Sequence, residues 1–155
     1  MLAELRRLVA YKAMGLATGE DHVDWALASL EAGQDSEHLR MLAGLGARPH
    51  WQEVRDYFGW ALEELGLELP PVEQVMPEYV RDVAGGIVSG TINPNAGCRE
   101  IYRVLLTDTL QVTQEEFEAW LYLGDGLEPG TYRTLPGAEL GEAIRREAAR
   151  LLEAP

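Results

Sequence analysis

The chain has 155 residues, 46% hydrophobic and 25% charged. That is the balance of an ordinary globular protein, with length for one domain over 1–155 and a real core. Its net charge of −13 disfavours nucleic acid and anionic membrane as partners and favours cationic ones.

The opening stretch MLAELRRLVAYKAMG lacks the apolar run of a signal peptide and reads as a first helix, Leu2–Leu16. Leu5, Leu8, Val9 and Lys12 share one face of it. Thr18-Gly19 reads as its stop. Asp21 then suits the N-cap of a helix His22–Ala32 closed by Gly33. On that helix Val23, Ala26, Leu27 and Leu30 make one apolar face, and Trp25, Ala28 and Ala32 a second. Asp35 or Ser36 caps a short helix through Leu39, Met41, Leu42 and Leu45.

His50–Pro71, HWQEVRDYFGWALEELGLELPP, is the clearest element. Trp51, Val54, Phe58, Leu62 and Leu65 recur at spacings of three and four, so they form one apolar stripe. Pro49 fits the first turn, where its missing N–H costs nothing. Gly66 suits a left-handed closing position, with Leu67 folded back on Leu62, and Pro70-Pro71 prevents continuation.

Pro77 is expected at the first position of the next helix, Pro77–Ser89, with Tyr79, Val80, Val83 and Ile87 inward. Gly85-Gly86 inside it costs about 1 kcal/mol per glycine against alanine, which close approach by another backbone would offset. Asn93 and Pro94 are cap and first residue of a helix running to about Leu106, with Cys98, Ile101, Tyr102 and Leu105 inward. Thr113 and Glu116 spell a capping box, and Val112 with Phe117 a hydrophobic staple. The helix they open carries Trp120 and Leu121 and breaks at Gly124-Asp125-Gly126. A last helix spans about Pro136–Leu152 with Leu140, Ile144, Ala148 and Leu151 inward. No segment alternates as a strand would. The fold class that follows is all-α: a compact single-domain bundle of seven or eight short antiparallel helices, with an α-solenoid-like hairpin array as the second choice.

Chemical motifs are missing where they would be needed. His22, His38 and His50 have no histidine partner at i+4, and no glutamate precedes a histidine by three, so neither a zinc-protease helix nor a di-iron bundle is spelled out. Only a clustering of their helix starts in space, recruiting Asp21, Asp24 or Glu37, would make a metal site. Otherwise they read as exposed first-turn residues. Gly85–Gly90 has neither the Gly-Lys-Ser/Thr ending of a phosphate loop nor the spacing of a nucleophile elbow. Cys98, the one cysteine, reads as a small core residue, and a lone thiol fits a reducing cytoplasm. No cofactor and no metal is called for. A small-molecule or metal-dependent helical enzyme stands as the alternative.

Recognition remains. Between Ala13 and Val80, thirteen acids face three bases, Arg40, Arg48 and Arg55, a net of −10. On the central helix Trp60 lies about 180° from Trp51, with Glu53, Asp56, Glu63 and Glu64 around it. An aromatic ringed by acids suits a contact point for a basic protein, and Trp60 is expected to be at least partly exposed. In size, helicity and acidity, though in no motif, the chain resembles small bacterial immunity proteins and antitoxins that block cationic toxins. The resemblance implies a non-enzymatic interaction protein with a cationic partner.

Overall fold

The computed structural model describes residues 3–46, 48–107, 114–127 and 137–153, with backbone alone for 114–117. Every regular element among them is an α-helix: α1 Ala3–Ala13, α2 Gly19–Glu31, α3 Glu37–Ala43, α4 Trp51–Leu65, α5 Val72–Ser89, α6 Pro94–Leu105, α7 Gln114–Asp125 and α8 Gly137–Glu153. The all-α fold and the helix count are those expected from the 3.6-residue periodicity. The Thr113 capping box and its Val112 staple lie outside the described residues. The chain divides into two compact units, Met1–Val75 and Met76–Pro155.

In the first unit α2 packs on α1, α3 and α4, and α3 packs on α4. Local signals set these helices. Thr18 caps α2: its hydroxyl accepts from the Asp21 N–H at 3.2 Å, and the Asp21 carboxylate accepts from the Thr18 N–H at 2.8 Å. Thr18 is therefore a start and not a stop, and Asp21 is the third residue of a capping box with aspartate in the usual glutamate place. Ser36 caps α3 through Leu39 N–H. α4 ends as its sequence indicated. Gly66 sits at φ 63°, its N–H reaches the Glu63 carbonyl, and the Leu67 N–H reaches the Leu62 carbonyl at 2.9 Å. That pair of bonds is a Schellman closure.

The core of this unit joins Leu5, Leu8 and Val9 of α1, Trp25 and Ala26 of α2, Leu39 and Leu42 of α3, and Val54, Phe58 and Ala61 of α4. Leu27 is instead 46% exposed, so α2 has one buried face centred on Trp25 and not two. Pro49 lies before α4, against Gly19, where an added Cβ would come within 2.6 Å of its ring.

α5 starts five residues earlier than expected, at Val72, and Pro77 lies inside it. The Gln74 and Val75 N–H groups bond the Pro71 carbonyl, so the first turn forms ahead of the proline. Pro77 then deprives the Glu73 carbonyl of its donor, and such interior positions cost about 3 kcal/mol. The boundary between the two units falls just before it.

In the second unit α6, α7 and α8 pack pairwise. Ile101 and Val104 of α6, Trp120 and Leu123 of α7, and Leu140, Ile144 and Ala148 of α8 are buried. Glycines set several of the spacings. A Cβ on Gly86 would run into the Ile92 side chain, one on Gly97 would meet Ile87 at 2.6 Å, and one on Gly124 would run into the Tyr102 ring. The neighbour at Gly86 is thus an isoleucine side chain from the α5–α6 turn and not a helix backbone, while Gly85 meets nothing within 4 Å.

Candidate functional site

α4 packs against α3, with its last turn beside the first turn of α3. Glu64 reaches across to that turn. Its Oε2 accepts from the His38 N–H at 3.1 Å, and its Oε1 accepts from His38 Nδ1 at 2.5 Å. A carboxylate here satisfies an otherwise unpaired amide and sits favourably at the positive end of the helix. Hydrogen bonds from the Ser36 hydroxyl, then from the His38 ring and backbone, hold the Glu64 carboxyl below its ordinary value.

Pinned in this way, the His38 ring lies 4.8 Å from Trp60 at an interplanar angle of 55° and 6.1 Å from Tyr57 at 38°. Tyr57 and Trp60 are 6.0 Å apart at 44°. The result is a cluster of three tilted rings, two from α4 and one from α3. Its outermost member, Trp60, is 45% exposed.

Acids flank that indole. Asp56 and Glu63 lie four residues before and three after it, so they occupy the same face, one turn to either side. Glu53 continues the row. The side chains of Glu53 and Glu63 are exposed and have no ion pair or hydrogen bond among the described residues. Asp56 accepts from Gln52 Nε2 at 3.2 Å and lies 3.6 Å from Arg55 Nε. Of the five residues that the sequence groups together, four therefore present themselves outward. The fifth, Glu64, spends both oxygens on His38 and serves to seat it.

The opposite end of α4 departs from expectation. Trp51 is 53% exposed, although its spacing placed it on the apolar stripe. It is the first helical residue, after an N-cap, His50, that makes no side-chain bond. The ring of His22 lies 5.4 Å away, edge-on.

His22 itself is buried, 2% exposed, and not the surface residue that a helix start suggested. Its Nδ1 donates to the Thr18 carbonyl at 2.7 Å, and its edge meets Phe58 at 4.9 Å. Burial lowers its pKa below the ordinary 6.5, outweighing the Thr18 bond that raises it. Lys12 lies over the other ring of this cluster, its ammonium 5.1 Å from the Phe58 centroid.

The three histidines thus do three different things: His22 is core, His38 seats an aromatic cluster, and His50 is an exposed N-cap. Among the described residues no group of three or more histidine, cysteine or acidic side chains is placed to hold a metal. A cleft lined by Glu4, Arg7, Leu8, Asp21 and Asp24 has a volume of about 20 Å³, room for a single water. Cys98 is buried, and burial raises its thiol to about 12, which leaves no nucleophilic thiolate at neutral pH. Among the described residues no helix is long and apolar enough to cross a membrane.

Compared with protein-family models, with curated proteins and with solved structures, the chain matches none.

Proposed function

We propose that this is a non-enzymatic, acidic interaction protein that docks a cationic protein on the α4 face bearing Trp60, Glu53, Asp56 and Glu63, with Glu64 holding His38 beneath it. One observation carries the reading. Trp60 is a large aromatic left nearly half exposed on a pre-formed ring cluster, between carboxylates that the described residues leave largely unneutralised. Exposed aromatics of this kind are costly to solvate and are enriched at contact hot spots. Rings held by Glu64 lose little freedom on binding, which lowers the entropic cost of association. The unpaired acids supply long-range attraction for a basic surface.

Calorimetric titration at physiological salt tests it, with a synthetic basic peptide as the probe. The parent should bind. Trp60→Ala, and separately the triple change Glu53→Gln, Asp56→Asn, Glu63→Gln, should each weaken binding at least about tenfold, the loss of one hot-spot contact. Both variants should keep the parent helical circular dichroism, because every altered side chain lies outside the core. A parent that does not bind, or variants that bind as tightly as the parent, would leave only the general field of a −13 chain and sink the assignment.

A further inference from the structure

We infer that the group received at this face is an arginine guanidinium of the partner, laid on the Trp60 indole and held by Glu63 and Asp56. This rests on the docking reading above and narrows its chemistry.

Three observations point to a flat, forked cation and not to an ammonium. The first is the ring cluster. His38, Tyr57 and Trp60 are mutually tilted by 38° to 55°, and Trp60 remains 45% exposed, so part of its indole is open to a ligand. A guanidinium covers such a face as a plane, combining cation–π attraction with stacking, whereas an ammonium touches it as a point.

The second is the pair of carboxylates. Asp56 and Glu63 flank the indole from opposite sides along the helix. One guanidinium carries five N–H donors in a fixed fork, and so can address carboxylates on both sides while its plane stays on the ring. The present neighbours of Asp56 are the Gln52 amide at 3.2 Å and the Arg55 guanidinium at 3.6 Å, the latter 64% exposed, so its charge is only partly met.

The third is that the same unit already contains the arrangement, filled by its own chain. The guanidinium carbon of Arg7 lies 4.9 Å over the Tyr11 ring, and Arg7 NH2 is 3.3 Å from Asp21 Oδ1. There an aromatic face and a carboxylate from a neighbouring helix hold an arginine between them. Where a ring stands without such a carboxylate, at Phe58, the cation over it is a lysine, Lys12. Trp60 has the aromatic and the carboxylates together, with no cation over its ring among the described residues.

The test uses the full chain and two synthetic peptides of equal length and charge, identical except that one carries arginines and the other lysines. Calorimetry should show the parent preferring the arginine peptide by about threefold or more, the margin that stacking and forked hydrogen bonding add to the cation–π attraction both peptides share. Trp60→Ala should remove the preference by weakening the arginine peptide to the level of the lysine one. Glu63→Gln should reduce it in part. If both peptides bind equally and both depend on Trp60, the guanidinium assignment is overturned while docking at this face stands. A preference that survives Trp60→Ala places the arginine elsewhere and also overturns it. Absence of binding by either peptide removes the docking reading as well.

Discussion

The two units carry nearly the same charge and use it in opposite ways. Residues 1–75 hold thirteen acids against six bases, a net of −7. Residues 76–155 hold thirteen against seven, a net of −6. The strong −10 of the window from Ala13 to Val80 therefore belongs to no structural unit, because the bases of α1 fold back into the first one. What separates the units is where the aromatics go. In the second, tyrosine hydroxyls engage acids: Tyr79 donates to Glu100 at 2.6 Å and Tyr102 to Asp125 at 3.0 Å, and Trp120 is 1% exposed. The first has three of the four tryptophans and all three histidines, and it leaves Trp51 and Trp60 at the surface. Net charge alone would have assigned a docking face to either unit. The pairing of an exposed indole with uncommitted carboxylates singles out the first.

The interiors differ too, and substitution should expose how. The first core turns on Phe58, which meets the edges of both His22 and Trp25, the latter at 5.0 Å. Phe58→Ala should cost about 3–5 kcal/mol in urea unfolding followed by circular dichroism. A loss below about 1 kcal/mol would mean that the aromatic edges do not organise that core. The second core turns on close approach at glycine. Gly124→Ala drives a methyl into the Tyr102 ring and should cost about 1–3 kcal/mol, read from the same experiment. An unchanged midpoint would show that Tyr102 swings aside freely.

The smallest expected effect separates the units by pH. Burial depresses the His22 pKa in the folded state, so between its ordinary 6.5 and its lower folded value the unfolded chain binds a proton that the folded unit refuses. Stability should therefore be constant above 6.5 on this account and fall as pH drops below it, by at most about 1.4 kcal/mol per pH unit. His22→Asn, which keeps a donor for the Thr18 carbonyl, should flatten that slope. Glu64 acts in a separate window. Its pKa is lowered from 4.5, so its contribution is intact above that value and is lost as pH falls further. A slope that persists between pH 6.5 and 5 in His22→Asn would assign the proton to another group.

What the sequence made legible was local. Gly66-Leu67, Ser36 and Asn93-Pro94 each carry their own geometry within a few residues, and each forms the cap or stop that its chemistry dictates. The fold class followed from periodicity alone. The readings that changed depended on neighbours distant in sequence or on competition between two local rules. Trp51 obeys the stripe spacing, but it sits in the first turn and is 53% exposed. Thr18-Gly19 carries both a stop and a capping signal, and the box with Asp21 prevails. Pro77 suits a helix start, yet α5 begins with the turn just after Pro71. The site was half legible. Trp60 and its acids could be placed from angular spacing on one helix. The bond from His38 to Glu64 spans 26 residues, and the ring cluster built on it has no trace in periodicity.

Cys98 gives the second unit a built-in clock. It is the chain's one thiol, fully enclosed, and at neutral pH almost wholly protonated. A thiol-specific reagent can therefore reach a reactive form of it only when α6 parts from its neighbours. In excess reagent, the labelling rate reports how often that opening happens, as amide exchange does for a backbone group. In a Trp120→Phe variant the remaining indole emission comes from Trp25, Trp51 and Trp60, and so from the other unit alone. One such sample compares the opening of Met76–Pro155, read as a labelling rate, with the unfolding of Met1–Val75, read as a change in that emission.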